Sequence, residues 1–113
     1  MKPRVYVTQE TSHDFRMAEE FGELVFLSAD RRDDFHNVVN SEHNRRILAH
    51  LRFGLRSFDA DRDFIVLVGS PYINAAVMAL LGHMKVRTLR ILRWDNRDLC
   101  YIPLVLQLET IDG

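Results

Sequence analysis

The stretch Asp63-Phe64-Ile65-Val66-Leu67-Val68-Gly69-Ser70-Pro71 decides the fold. Phe64 to Val68 are apolar without a break, so a strand here is covered on both faces, as the central strands of a parallel sheet are. Gly69 permits the sharp turn that ends the strand, and Ser70 offers an N-cap oxygen. Pro71 suits the first helical position, where a missing N–H costs nothing. Strand, turn and capped helix follow each other in nine residues, and that sequence of signals predicts an α/β crossover unit.

Downstream, the helix begun at Ser70 runs to about Met84 and turns Ile73, Val77, Leu80, Leu81 and Met84 to one side. From Ser70 to Met84 there is no Asp, Glu, Lys or Arg. Its second face, Ala75, Met78, Ala79 and Gly82, is small and uncharged and calls for cover. Either the N-terminal segment of the same chain or a second copy in a symmetric dimer would supply it. Val86 to Trp94 reads as the next strand, and Asp95-Asn96-Arg97-Asp98 as a turn. In the last strand, Cys100 to Leu108, Ile102, Leu104, Leu106 and Leu108 alternate with Tyr101, Pro103, Val105 and Gln107. Alternation with an internal proline predicts a half-exposed edge strand, paired antiparallel.

Upstream, Val5-Tyr6-Val7-Thr8 reads as a strand. Ser12 or Asp14 would cap a short helix ended by Gly22, with Phe15, Ala18 and Phe21 inward. Leu24 to Leu27 is apolar on both faces, which predicts a place inside the sheet. Asp30 to Asn40 is the most polar connection and reads as a mobile loop. Ser41 caps an amphipathic helix whose Ile47, Leu48, Leu51, Leu55 and Phe58 fall within about a 100° arc. The predicted order is β-α-β-α-β-α-β-β: a mostly parallel, Rossmann-like sheet of about five strands, helices on both faces, and a C-terminal antiparallel hairpin. Residues 1–113 form one domain on this reading.

Composition narrows the function classes. Fifteen basic against sixteen acidic side chains give a net charge of -1, so no domain-wide positive field favours nucleic acid. A single cysteine, Cys100, forms no internal disulfide and points to a reducing compartment. Met1-Lys2-Pro3-Arg4-Val5 lacks the apolar core of a signal peptide, and no apolar run reaches a membrane span. A soluble, cytoplasmic protein is expected.

Gly69, Ser70 and Asn74 form the candidate small-ligand site. In an open parallel sheet, ligands bind beyond the carboxyl ends of the strands, where helix N-termini favour anions. There is no Gly-x-Gly-x-x-Gly and no Walker lysine, and Pro71 removes one donor. An ordinary capped crossover helix is the alternative. A candidate basic patch combines Arg45, Arg52 and Arg56 on one helix face with Arg90, Arg93 and Trp94 on the strand that also holds Arg87. Arginine beside an aromatic ring suits phosphates and a stacked base. Solvated, locally neutralised arginines are the alternative.

No metal or cofactor motif is present. His43 and His50, seven apart on a helix, lie about 10 Å apart along its axis and do not share a metal. His13, His36 and His83 lack ligand spacing. Ser12-His13-Asp14 are consecutive, whereas triad members converge in space. Asp59, Asp61 and Asp63 lack the glycine and distal glutamate of a calcium loop, and Cys100 reads as a structural thiol.

Ala18 to Leu27, Asp63 to Pro71, and Arg90-Ile91-Leu92-Arg93-Trp94-Asp95 leading to Tyr101-Ile102-Pro103 together carry a resemblance. The chain resembles a group of small α/β proteins encoded in tailed-bacteriophage genomes. That resemblance implies a phage origin and a bacterial cytoplasm, and it implies no reaction. The expected function is therefore a non-enzymatic interaction protein that binds a host or phage macromolecule. Its expected contacts are the small-residue helix face for self-association, and the Arg45, Arg52, Arg56 stripe or the edge strand around Tyr101 for a partner. A small-ligand or nucleotide-binding domain, conceivably an enzyme, is the alternative. Nucleic-acid contact through the Arg87 to Arg97 strand is the third.

Overall fold

The computed structural model describes residues 2–29, 34–39 and 41–108. Five strands form one sheet: β1 (Arg4–Val7), β2 (Glu23–Phe26), β3 (Phe64–Val66), β4 (Thr88–Asp95) and β5 (Cys100–Gln107). Their order is β2-β1-β3-β4-β5, parallel except for the β4–β5 hairpin. The expected mostly parallel α/β sheet with an antiparallel end is the one that forms. Its order departs from the 3-2-1-4-5-6 of a Rossmann sheet and follows the other doubly wound order, 2-1-3-4-5.

That order dictates the layers. The chain steps one way from β1 to β2 and the other way from β2 to β3 and β3 to β4. Right-handed crossovers then put the first connection on one face and the next two on the opposite face. Helices α1 (Glu42–Gly54) and α2 (Pro71–His83) share a face, where Leu51, Leu55, Ile73, Val77 and Leu81 bury Tyr6, Ile65 and Leu89. A 3₁₀ helix (Arg16–Phe21) covers the other, packing Phe15 and Ala18 against Val5, Val7, Val66, Leu92 and Tyr101.

The expected N-caps form. Ser41 Oγ accepts from Asn44 N–H at 3.0 Å, and Ser70 Oγ accepts from the N–H groups of Tyr72 and Ile73. Three expectations need correction. The short N-terminal helix is 3₁₀, preceded by Phe15 with no side-chain cap. Asp14 instead accepts from Arg16 N–H at 3.0 Å and forks with its guanidinium. Strand β2 lies at the sheet edge, bonded to β1 alone. Its two apolar faces arise because the helical layers clasp the edge, Val25 on one side and Leu24 on the other.

The third correction concerns the central strand, which stops at Val66 instead of Val68. Thr8, fully buried, takes over there: its hydroxyl accepts from Val68 N–H at 3.0 Å and donates to the Val68 carbonyl at 2.9 Å. The polar loop is described in part. Residues 30–33 and 40 lie outside the described residues, but Asp34 to Val39 are anchored to α1. The Asn44 amide bonds His36 N–H and the His36 and Val38 carbonyls, and the His36 and His43 rings stack at 3.8 Å.

Candidate binding groove at the carboxyl edge

Ending β3 early has a consequence for its neighbour. β4 continues to Asp95, and the space vacated beside it is a groove of about 820 Å³. Val66, Leu67 and Val68 form one wall, Ile91 to Trp94 the other, and Phe15, Met17 and Tyr101 close the 3₁₀ side. The Trp94 and Tyr101 rings meet edge to face at 5.0 Å, as their direct cross-strand pairing requires. Trp94 Nε1–H donates to Asn96 Oδ1 at 2.7 Å, which fixes the indole without burying it. The rim leaves Met17, Leu67 and Trp94 between 40% and 48% exposed.

Polar groups at the groove are few. Arg93 is exposed and has no acidic partner among the described residues. Asp14 is held by Arg16, whose guanidinium pulls its carboxyl below the usual carboxylate range. Burial, with the Asp14 charge nearby, pushes the Tyr101 phenol up, so it stays a neutral hydroxyl.

A smaller cavity of about 380 Å³ adjoins this groove, and His13 and Val68 line both. It sits between the carboxyl ends of β1 and β3, where the strand order reverses, the usual ligand position in such sheets. Gln9, Thr11, Asp34, Gly69 and Ser70 complete its lining. Gly69 has φ +81°, and a Cβ there would collide with the Gln9 amide. Gln9 Oε1 accepts from Ser70 N–H at 2.8 Å. With Tyr72 and Ile73 N–H on Ser70 Oγ, Asn74 N–H on the Ser70 carbonyl, and no N–H on Pro71, the first turn of α2 keeps no donor for an anion. Of the three candidate ligand residues, Gly69 and Ser70 line the cavity and Asn74 does not; its Oδ1 is buried with no partner among the described residues.

Ala75, Ala79 and Gly82 are exposed, while Met78 tucks against the core. Cover by the N-terminal segment is excluded, since that segment lies across the sheet. The basic candidates are not one patch. Arg45 and Arg52 lie on α1 and Arg56 in the turn just past its end, where it stacks on Phe53 at 3.8 Å. Arg90 folds over Phe64 on the 3₁₀ face, and only Arg93 and Trp94 reach the groove. Among the described residues no three His, Cys, Asp or Glu side chains are grouped to hold a metal, and no helix is long and apolar enough to cross a membrane. Burial, then Asp95, Asp98 and Glu20, push the Cys100 thiol up. Asp63, one of the three carboxylates of the discounted cation loop, is a buried staple whose oxygens accept from Arg4 and Asp59 N–H at 2.9 and 2.8 Å.

Sequence reasoning placed Arg93 and Trp94 in a basic strand and missed their company. His13, Phe15, Met17 and Tyr101 are distant in sequence and converge only through the strand order. The available signal was Trp94 at the carboxyl end of a parallel strand.

No curated protein and no solved structure matches the chain. A family model described as Phage Pam3 gp32-like protein matches residues 3–108, which include every strand, both helices and the whole groove. The chain belongs to the Phage Pam3 gp32-like protein family, a family of phage proteins.

Proposed function

We propose that this phage protein is a non-enzymatic binding module that engages a host or phage macromolecule in the bacterial cytoplasm through the carboxyl-edge groove. The observation that supports it is the rim of Met17, Leu67 and Trp94 around an aromatic floor. Tryptophan, tyrosine, phenylalanine, methionine and arginine are the residues enriched where protein surfaces meet. The uncharged face of α2 gives a second surface, for self-association.

Affinity capture from host lysate at physiological salt tests this reading, with wild-type protein and Trp94→Ala run side by side. A partner retained by wild type and lost with Trp94→Ala is expected. Capture that is indifferent to Trp94, or no specific capture at all, overturns it.

A nucleotide or other small ligand at Gly69 and Ser70 is the second reading, favoured by the cavity at the strand-order reversal. The filled hydrogen bonds of the α2 first turn count against a phosphate there. A thermal-shift panel of nucleotides and phosphosugars separates the two: a true ligand at a hundredfold its Kd adds about 2.7 kcal/mol. No shift across the panel removes this second reading.

A further inference from the structure

We infer that the groove takes an extended acidic peptide as an added strand on the inner edge of β4, a proposal that rests on the reading of the groove as a macromolecular contact. Backbone direction comes first. Leu108 N–H donates to the Arg87 carbonyl at 2.8 Å, so the Arg87 backbone points at β5. Alternation along β4 then turns the backbones of Leu92 and Trp94 toward β3. The register Ile65↔Ile91 would set Leu67 opposite Arg93, bonded to the Leu92 carbonyl and the Trp94 N–H. Among the described residues no such backbone bond exists. β3 has ended at Val66, and Thr8 holds Val68 on the β1 side. The Leu92 carbonyl and Trp94 N–H therefore face the groove, as the groups of an exposed sheet edge do.

Such an edge is a template for an extended peptide, whose main chain supplies affinity and whose side chains supply specificity. The side chains around it state what the peptide carries. Trp94, Tyr101, Phe15 and Met17 form a wall for a large apolar side chain. Among the described residues Arg93 has no acidic partner, while the one acidic lining residue, Asp14, is already neutralised by Arg16. The groove's residual charge is positive and complements a carboxylate. A nucleic-acid strand needs a track of cations, and Arg93 is the single arginine or lysine among the described lining residues.

Trp94 is the single tryptophan, so its emission reports on the groove. The probes are terminally blocked hexapeptides that alternate leucine or phenylalanine with aspartate. They should shift the emission to the blue and saturate. N-methylation of central backbone amides should weaken binding about tenfold or more, as loss of a main-chain hydrogen bond does. Arg93→Glu should do the same, and Arg93→Lys should retain most of the affinity. Equal binding by N-methylated peptides, or by peptides with lysine in place of aspartate, overturns the proposal. A shift given only by oligothymidylate, falling steeply with salt, overturns it in favour of single-stranded nucleic acid. If no peptide binds while lysate capture still depends on Trp94, strand addition fails and the broader reading stands. If capture fails too, both fall.

Discussion

Thr8 and Val68 join three polar groups directly: the Thr8 hydroxyl accepts from Val68 N–H at 3.0 Å and donates to its carbonyl at 2.9 Å. A side chain from β1 thereby does for β3 what a neighbouring backbone would otherwise do. The Thr8 main chain takes part as well, its N–H bonding the Val66 carbonyl and its carbonyl accepting from Ser28 Oγ at 2.8 Å. One buried threonine thus ties the carboxyl ends of β1, β2 and β3 and leaves β4 to run on with β5 as its one strand partner among the described residues. The groove is a product of that arrangement.

Replacing Thr8 by valine keeps the shape and removes the hydroxyl. The Val68 N–H and carbonyl then lose their partner at a half-buried position, at up to about 1–3 kcal/mol for each group left unsatisfied. Urea unfolding should give a loss of about 2–4 kcal/mol for Thr8→Val, and Thr8→Ser should recover most of it. Equal stability of wild type and Thr8→Val would show that Val68 finds other partners.

Gly69 meets two separate constraints, a left-handed φ of +81° and the Gln9 amide where a Cβ would stand. Gly69→Ala should cost about 1–3 kcal/mol, more than the αL penalty alone, because the Gln9 side chain must also give up Ser70 N–H. Adding Gln9→Ala to Gly69→Ala should relieve the collision with the amide, while the Gln9 Cβ, 2.9 Å from the new methyl, and the conformational cost remain. A double-mutant cycle read by thermal unfolding measures the difference.

The parts legible in sequence were those written by short-range chemistry. Ser41, Ser70 and Pro71 announced their helices, and the alternation from Cys100 to Leu108 announced an edge strand that the structure pairs antiparallel with β4. What escaped was set by long-range pairing. Leu24 to Phe26 is as apolar as a central strand, yet its two faces are covered by different helical layers while its outer edge stays open. Leu67 and Val68 have strand composition, and only the distant Thr8 hydroxyl explains why they leave the sheet. The groove inherits that blindness, for Phe15, Leu67 and Trp94 have no local pattern in common.

Asp63 occupies a position where charge and burial coincide, 1% exposed and bonded to two backbone N–H groups on different segments. It joins the start of β1 to the turn that precedes β3, so it sets the register of the two central strands at their amino ends. Asp63→Ala should destabilise by about 2–4 kcal/mol, the range for losing charge-assisted bonds and stranding two donors. Hydrogen exchange should locate the effect, with Arg4 and Asp59 amides deprotected first.

Cys100 offers a pH test. Its thiol is raised by burial and by the carboxylates of Asp95, Asp98 and Glu20, all of which oppose the thiolate. At any given pH below that raised pKa, the folded protein then holds less thiolate than the unfolded chain. Iodoacetamide should alkylate Cys100 more slowly in the native protein than in urea, and its rate should rise at a pH above that of an ordinary thiol. Because the folded state holds the proton more tightly, this group's contribution to stability is full below the unfolded pKa and fades as pH rises through the folded one. A native rate that already plateaus near neutral pH would contradict this placement.

The open face of α2 makes its own prediction. Ala75, Ala79 and Gly82 are exposed, and a Cβ at Gly82 would meet nothing within 4 Å. Small residues there let a second helix approach closely, and the absence of charge removes any cost of desolvating ions. Sedimentation should therefore show a dimer whose population depends on concentration. Ala79→Arg should return it to the monomer, with a change of no more than about 0.5 kcal/mol in the monomer's own stability, as for other surface substitutions. Wild-type protein that stays monomeric at high concentration would mean that this face is solvated. It would leave the groove untouched, since the groove opens at the carboxyl edge of the sheet and includes no residue of α2.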